Sequence, residues 1–198
     1  MRSKAVLASL VAVAAIALLS ERAVARVDVN IQFDEKFDFS TVKTWAWSPS
    51  GYGDVKMART QTDNPEAYRK VAEPVIVDAV TTELNARGLR SSETSAAPPD
   101  ITVVYYLLLS TNITAQTIGQ FLPNTTAWGL PPFLATTQSF EVFNRGSLVL
   151  DLSSGNNVIW RGVAQSNIKP DADLKKRENV LREAIRDLIK RYPPKAKK

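Results

Sequence analysis

Acid–base chemistry in this sequence would have to come from carboxylates. Its 198 residues include no histidine and no cysteine. That removes the commonest general base, the serine–histidine–aspartate arrangement, thiolate catalysis and thiolate zinc sites. Asp100 and Asp151 fall near the ends of predicted strands, and a buried pair of such groups could divide acid and base roles. Nothing in their spacing brings the two together. Asp100 directly follows Pro98-Pro99 and is expected instead to orient a strand entrance by accepting hydrogen bonds from backbone N–H groups. Gly51-Tyr52-Gly53 lacks the spacing and the helix of a phosphate-binding loop. The residues thus assign no catalytic, cofactor-binding or metal-ligating group, and no cofactor is expected.

Aromatic residues beside small or charged ones are the next candidates. Residues 158–166 (VIWRGVAQS) read as a strand in which Val158, Trp160, Gly162 and Ala164 share one face. Trp160 is expected to fill core space while Gly162 lets a helix approach. Arg161 points the other way and is expected to meet Asp151 or Glu141 in an exposed pair worth about 0–1 kcal/mol. Trp45 and Trp47 also share a face. They could grip a flat ligand such as a sugar, but aromatic burial favours a role in closing the core.

The elements that must position these residues follow from periodicity. Residues 27–33 (VDVNIQF) alternate as a half-buried strand, and a second strand runs within 37–47 (FDFSTVKTWAW). Residues 48–64 read as a turn-rich loop. Asn64-Pro65-Glu66 starts a helix that is expected to reach Arg87, with Gly88 as its stop. Val71, Val75, Ile76, Ala79, Val80 and Leu84 make its apolar stripe, and Pro74 predicts a kink or break. After a polar linker (91–99), DITVVYYLLLSTNIT is apolar on both faces, as a central strand requires. Residues 139–152 supply one or two strands bent at Gly146, and residues 153–157 turn the chain into 158–166. Asp171 or Asp173 caps a last helix whose apolar face is Leu174, Leu181, Ile185, Leu188 and Tyr192; Pro193-Pro194 ends it. The order predicts an α+β fold: a two-layer sandwich, with a mainly antiparallel sheet of about five strands and two helices on one face.

The ends of the chain read differently. Arg2 and Lys4, the apolar run Ala5–Leu19 and the small-residue site Ala23-Val24-Ala25 match a secretory signal peptide, residues 1–25, cut after Ala25. Residues 26–194 would then form one domain, followed by a basic tail at 195–198. Loss of Arg2, Lys4, Glu21 and Arg22 takes the net charge from +5 to +3, and the three tail lysines carry that remainder. A nucleic-acid binder would instead gather basic charge on a face of its fold, so no nucleic acid is expected. No later stretch is long and apolar enough for an integral span.

Five stretches, in order, resemble the bacterial envelope proteins that carry domain of unknown function 4136, the DUF4136 family. They are FDFSTVKTWAW (37–47), VIVDAVTTELNARGL (75–89), PPDITVVYYL (98–107), GSLVLDLSSGNNVIWRGVA (146–164) and LREAIRDLIKRYPP (181–194). The resemblance implies an envelope location and brings no activity, cofactor or catalytic residue. Many relatives look like lipoproteins with a lipobox cysteine. Here Leu18-Leu19-Ser20-Glu21 stands without one, which favours a free periplasmic form.

From Ile101 to Phe140 there is no charged residue. Within that stretch 115–137 reads as neither strand nor helix, and it carries Phe121, Leu122, Trp128, Leu130 and Phe133 among Gly, Pro and Thr. Long loops are often functional, and an exposed apolar patch marks a contact. Folding back to finish the core is the competing reading. The expectation is a non-enzymatic envelope protein that binds a partner, a protein or a peripheral membrane surface, through this segment or a sheet edge. The alternatives are a carrier for a small apolar ligand or lipid and, third, a carboxylate-based hydrolase. Trp45, Trp47, Gly88, Asp100, Trp160 and Gly162 are expected to be structural.

Overall fold

The computed structural model describes residues 27–57, 64–92, 97–109, 116–118, 140–142, 146–166 and 173–194. Its strands are β1 (Val27–Phe33), β2 (Thr44–Trp47), β3 (Gly53–Met57), β4 (Arg90–Ser91), β5 (Ile101–Leu109), β6 (Gln116–Ile118), β7 (Phe140–Val142), β8 (Ser147–Ser154) and β9 (Asn157–Ser166). The helices are α1 (Pro65–Ala86) and α2 (Leu174–Ile189). Among the described residues the main sheet has seven strands in the order β1-β9-β8-β5-β2-β4, with β3 also on β5.

The fold is α+β, with a larger sheet than expected and a mixed one. The pairs β1–β9, β9–β8 and β8–β5 are antiparallel, whereas β5 runs parallel to both β2 and β3, and β2 runs parallel to β4. The reason is α1. It carries the chain from the β2–β3 side back to β5, and such a crossover joins parallel strands. β3 corrects the reading of 48–64 as loop throughout. Gly51 takes φ +118°, the Tyr105 N–H donates to the Tyr52 carbonyl, and Val55 is buried. A side chain at Gly53 would run into the Tyr105 backbone, so this close approach needs glycine. β6 likewise overturns the reading of 115–137 as free of strand, since Gln116–Ile118 pairs with Phe140–Val142.

α1 is capped by Asn64, whose side chain accepts from the Ala67 N–H at 3.1 Å. It ends one residue earlier than expected, with Arg87 as its C-cap. Gly88 then sits at φ +85°. The Gly88 N–H donates to the Asn85 carbonyl and the Leu89 N–H to the Leu84 carbonyl, the paired bonds of a Schellman motif. The helix does not break at Pro74, which is exposed, so water can take the Lys70 carbonyl that loses its partner. Ile76, Ala79, Val80 and Leu84 are buried, but Val71 is 54% exposed and leaves the predicted stripe. In α2, Asp173 is the cap, accepting from the Lys176 N–H at 2.8 Å. Ile185, Leu188 and Tyr192 are buried, and Leu174 at 64% exposure is not. The helix buries Val180, Ala184 and Ile189 in addition.

Both helices lie on one face of the sheet, over a core that includes Trp45, Val103, Tyr105, Leu150, Trp160, Ile76, Leu84, Ile185 and Leu188. The direction of α1 is fixed by Tyr105 meeting Glu73 and Trp45 meeting Asn85. That of α2 is fixed by Leu188 over Gly162 and Tyr192 against Trp160. Each helix therefore runs opposite to the parallel strands β5 and β9, and so the two helices run alongside each other in the same direction.

Candidate functional site

On the face of the sheet away from the helices, strand alternation brings polar side chains into line. Gln32 of β1, Arg161 of β9, Asp151 of β8 and Val104 of β5 stand opposite one another in register. Tyr106 lies diagonal to Asp151. The Arg161 guanidinium donates to both carboxylate oxygens, Nε to Oδ1 at 2.7 Å and Nη2 to Oδ2 at 2.6 Å. Both side chains are only 3% exposed. The partner is one of the two expected, but the pair is buried rather than exposed. Its face of the sheet is covered, with Val149 and Val163 fully buried beside it.

Charge in this setting is held, not offered. Burial works to lower the basicity of Arg161, but the Asp151 charge and its hydrogen bonds more than offset it, so the guanidinium stays above its ordinary range. Burial, reinforced by the Asp151 charge, pushes the Tyr106 phenol up to about 12, so it is neutral at physiological pH. Arg161 thus pairs with both Asp151 oxygens.

The other candidate groups are elsewhere. Asp100 stands just before β5, four residues along the strand from the position opposite Asp151, about 13 Å at strand rise. The structure does not bring the two aspartates together. Asp100 Oδ2 accepts from the Lys43 and Thr44 N–H groups, each at 2.8 Å, and from Thr44 Oγ1 at 2.9 Å. The backbone bonds of Lys43 and Thr44, then the Thr44 hydroxyl, hold its pKa below the usual carboxylate range. Trp45 and Trp47 pack edge to face at 5.9 Å, and Trp47 meets Tyr52 at 5.2 Å. Trp45 is fully buried and donates from Nε1 to Asn85 at 3.2 Å. Trp160 is fully buried against Tyr192, and a Cβ at Gly162 would lie 2.7 Å from Leu188 and closer still to the Trp160 ring. Phe121, Leu122, Trp128, Leu130 and Phe133 lie outside the described residues.

One polar network was missed from the sequence. Tyr105 donates to Glu73 at 2.7 Å, and Arg69 joins Glu73 at 3.2 Å while also donating to the Gly53 carbonyl. Burial first and then the bond to Glu73 push the Tyr105 phenol well up. The Arg69–Glu73 spacing of four was the available signal; the tyrosine came from a distant strand. Among the described residues, no group of acidic side chains is placed to hold a metal ion, and no helix is long and apolar enough to cross a membrane.

The family model "Domain of unknown function (DUF4136)" matches residues 29–194, nearly all of the described fold. The chain belongs to the DUF4136 family. A crystal structure of a DUF4136 family protein from Bacteroides thetaiotaomicron VPI-5482 superposes with a TM-score of 0.51 at 14% identity, covering 84% of this chain and 96% of that one. It shares the fold. A PDZ domain protein from Parabacteroides distasonis ATCC 8503 gives a TM-score of 0.46 at 14% identity, over 91% of this chain and 39% of that one. A PelC dodecamer from Paraburkholderia phytofirmans gives 0.37 at 8% identity, over 83% and 95%. No curated protein matches the sequence.

In this DUF4136 chain the Asp100 latch ties β2 to β5 and makes stability depend on acid. Because the folded pKa is depressed, the contribution is present above the ordinary carboxylate range and is lost as pH falls through the folded value. Asp100→Ala is expected to lower stability at neutral pH by about 1 kcal/mol, the group being well exposed to solvent. Urea unfolding should show this difference narrowing below about pH 4. A pH-independent difference would mean that the carboxylate charge is not what the latch uses.

Proposed function

We propose that this protein is an exported, non-catalytic binding module of the bacterial envelope, working in the periplasm, that holds a protein partner through the uncharged 115–137 segment. The observation that carries this reading is the composition of the segment. Phe121, Leu122, Trp128, Leu130 and Phe133 fall in a stretch without charge in a chain that is 23% charged over its whole length. The occupied state of the polar groups supports the non-catalytic part: Asp151 is taken by Arg161, and Asp100 by Lys43 and Thr44. Residues 1–25 support export, and the lack of cysteine supports a form without lipid on a thiol.

A photo-crosslinker placed at Trp128 in intact cells should capture an envelope protein. Deletion of 118–134 should abolish association with that protein while circular dichroism still reports a folded chain. Undiminished association after the deletion would refute the reading. So would substrate turnover by the purified protein that Asp151→Asn or Asp100→Asn abolishes. An apolar molecule retained in native mass spectra would shift the assignment to a carrier.

A further inference from the structure

The starts of the two helices form a surface that the proposed protein contact does not use. Asp78 of α1 and Arg182 of α2 are joined at 2.6 Å, which sets the level of one helix against the other. Seven residues back is about two turns, or roughly 10 Å along each axis, and returns to the same side. That step leads from Asp78 to Val71 and from Arg182 to Lys175. Val71 is 54% exposed, Leu174 64% and Tyr68 42%, unusually open for residues of their kind. Lys70, Lys175 and Lys176 stand exposed next to them in the chain, and none has an ion-pair partner among the described residues. The acids near these helix starts are Glu66, Glu73, Asp173 and Glu178; Asp173 caps α2, Glu73 is held by Arg69 and Tyr105, and Glu178 by Arg182.

The rest of the fold says what faces this surface. β1 starts opposite the end of β9, Val27 being level with Ser166. Ser147 stands level with Gln165 on one side and Leu108 on the other. One end of the sandwich therefore holds the start of β1, the ends of β5 and β9, and the starts of both helices. Exposed apolar side chains at the helix starts, beside lysines that have no ion-pair partner among the described residues, fit an anionic lipid surface. Such a surface accepts apolar side chains at its boundary and attracts cations at its headgroups.

The geometry points to this end, through Tyr68, Lys70, Val71, Leu174, Lys175 and Lys176, as the face that the protein lays against an anionic bilayer. Residues 26–198 contain every described element and the whole described core, so that chain can be tested without the apolar run at 5–19. It should sediment with vesicles of phosphatidylglycerol and phosphatidylethanolamine, bind phosphatidylcholine vesicles far less, and be released between about 0.1 M and 1 M salt. The triple variant K70E/K175E/K176E should bind the anionic vesicles at least roughly a hundredfold more weakly. Lys190→Glu, at the far end of α2, should bind as the parent does. V71S/L174S should also weaken binding; if it leaves binding unchanged, the lysines recognise polyanions in general and the lipid assignment falls. Absence of binding to the anionic vesicles, or triple-variant binding equal to the parent, would overturn it as well. The protein-capture experiment at Trp128 is read separately, so either proposal can fail while the other stands.

Discussion

Arg161→Ala is expected to lower stability by about 3–5 kcal/mol, as measured by urea unfolding at neutral pH. The size follows from burial. Both members of the pair are 3% exposed, and Asp151 receives both of its short bonds from Arg161. Removing the guanidinium leaves a carboxylate in a covered sheet face with its cross-strand partner gone. An exposed pair at the same positions would cost about 0–1 kcal/mol, so the experiment separates the two cases cleanly. Asp151→Ala should be similarly damaging for the mirror reason. The double change Arg161→Met with Asp151→Leu should be much less so, because it removes both charges and fills the space with apolar atoms. Additive losses in the double variant, or a loss below 1 kcal/mol in Arg161→Ala, would show that the pair is not the buried unit described.

Trp160→Ala should cost a comparable amount, about 3–5 kcal/mol, by a different route. Trp160 is fully buried, stacks edge to face on Tyr192 at 6.1 Å, and lies over Gly162 beneath Leu188. Its loss opens a cavity at the contact between α2 and the sheet, and Tyr192 and Leu188 lose packing with it. Its Nε1 has no hydrogen-bond partner among the described residues, so Trp160→Phe gives up volume but no hydrogen bond to them and should cost well under half as much. Trp45→Phe would forfeit the bond to Asn85 besides. Thermal unfolding of the three variants would rank them; equal losses for Trp160→Ala and Trp160→Phe would mean that hydrogen bonding, not volume, is at stake.

Local signals in this chain were readable because they act over a few residues. Asn64, Asp173 and Gly88 mark helix ends through bonds to backbone groups three to five positions away. Alternation put Trp160 and Gly162 on one face and Arg161 on the other, and these faces hold in the structure. Asp100 does accept backbone N–H bonds at the strand entrance, as its place after Pro98-Pro99 suggested. The end of α1 lies one residue off because Arg87 still accepts the cap geometry that Gly88 terminates.

By itself the sequence determined the family, the α+β class, the helix caps and which residues of a strand share a face, since each depends on residue type and short spacing. Only the tertiary structure decided that β2 and β3 both line up parallel to β5, that Arg161 and Asp151 are buried, and that Val71 and Leu174 are not. Strand partners, burial and exposure depend on which distant segment arrives at a given face, and periodicity along one segment carries no record of that arrival.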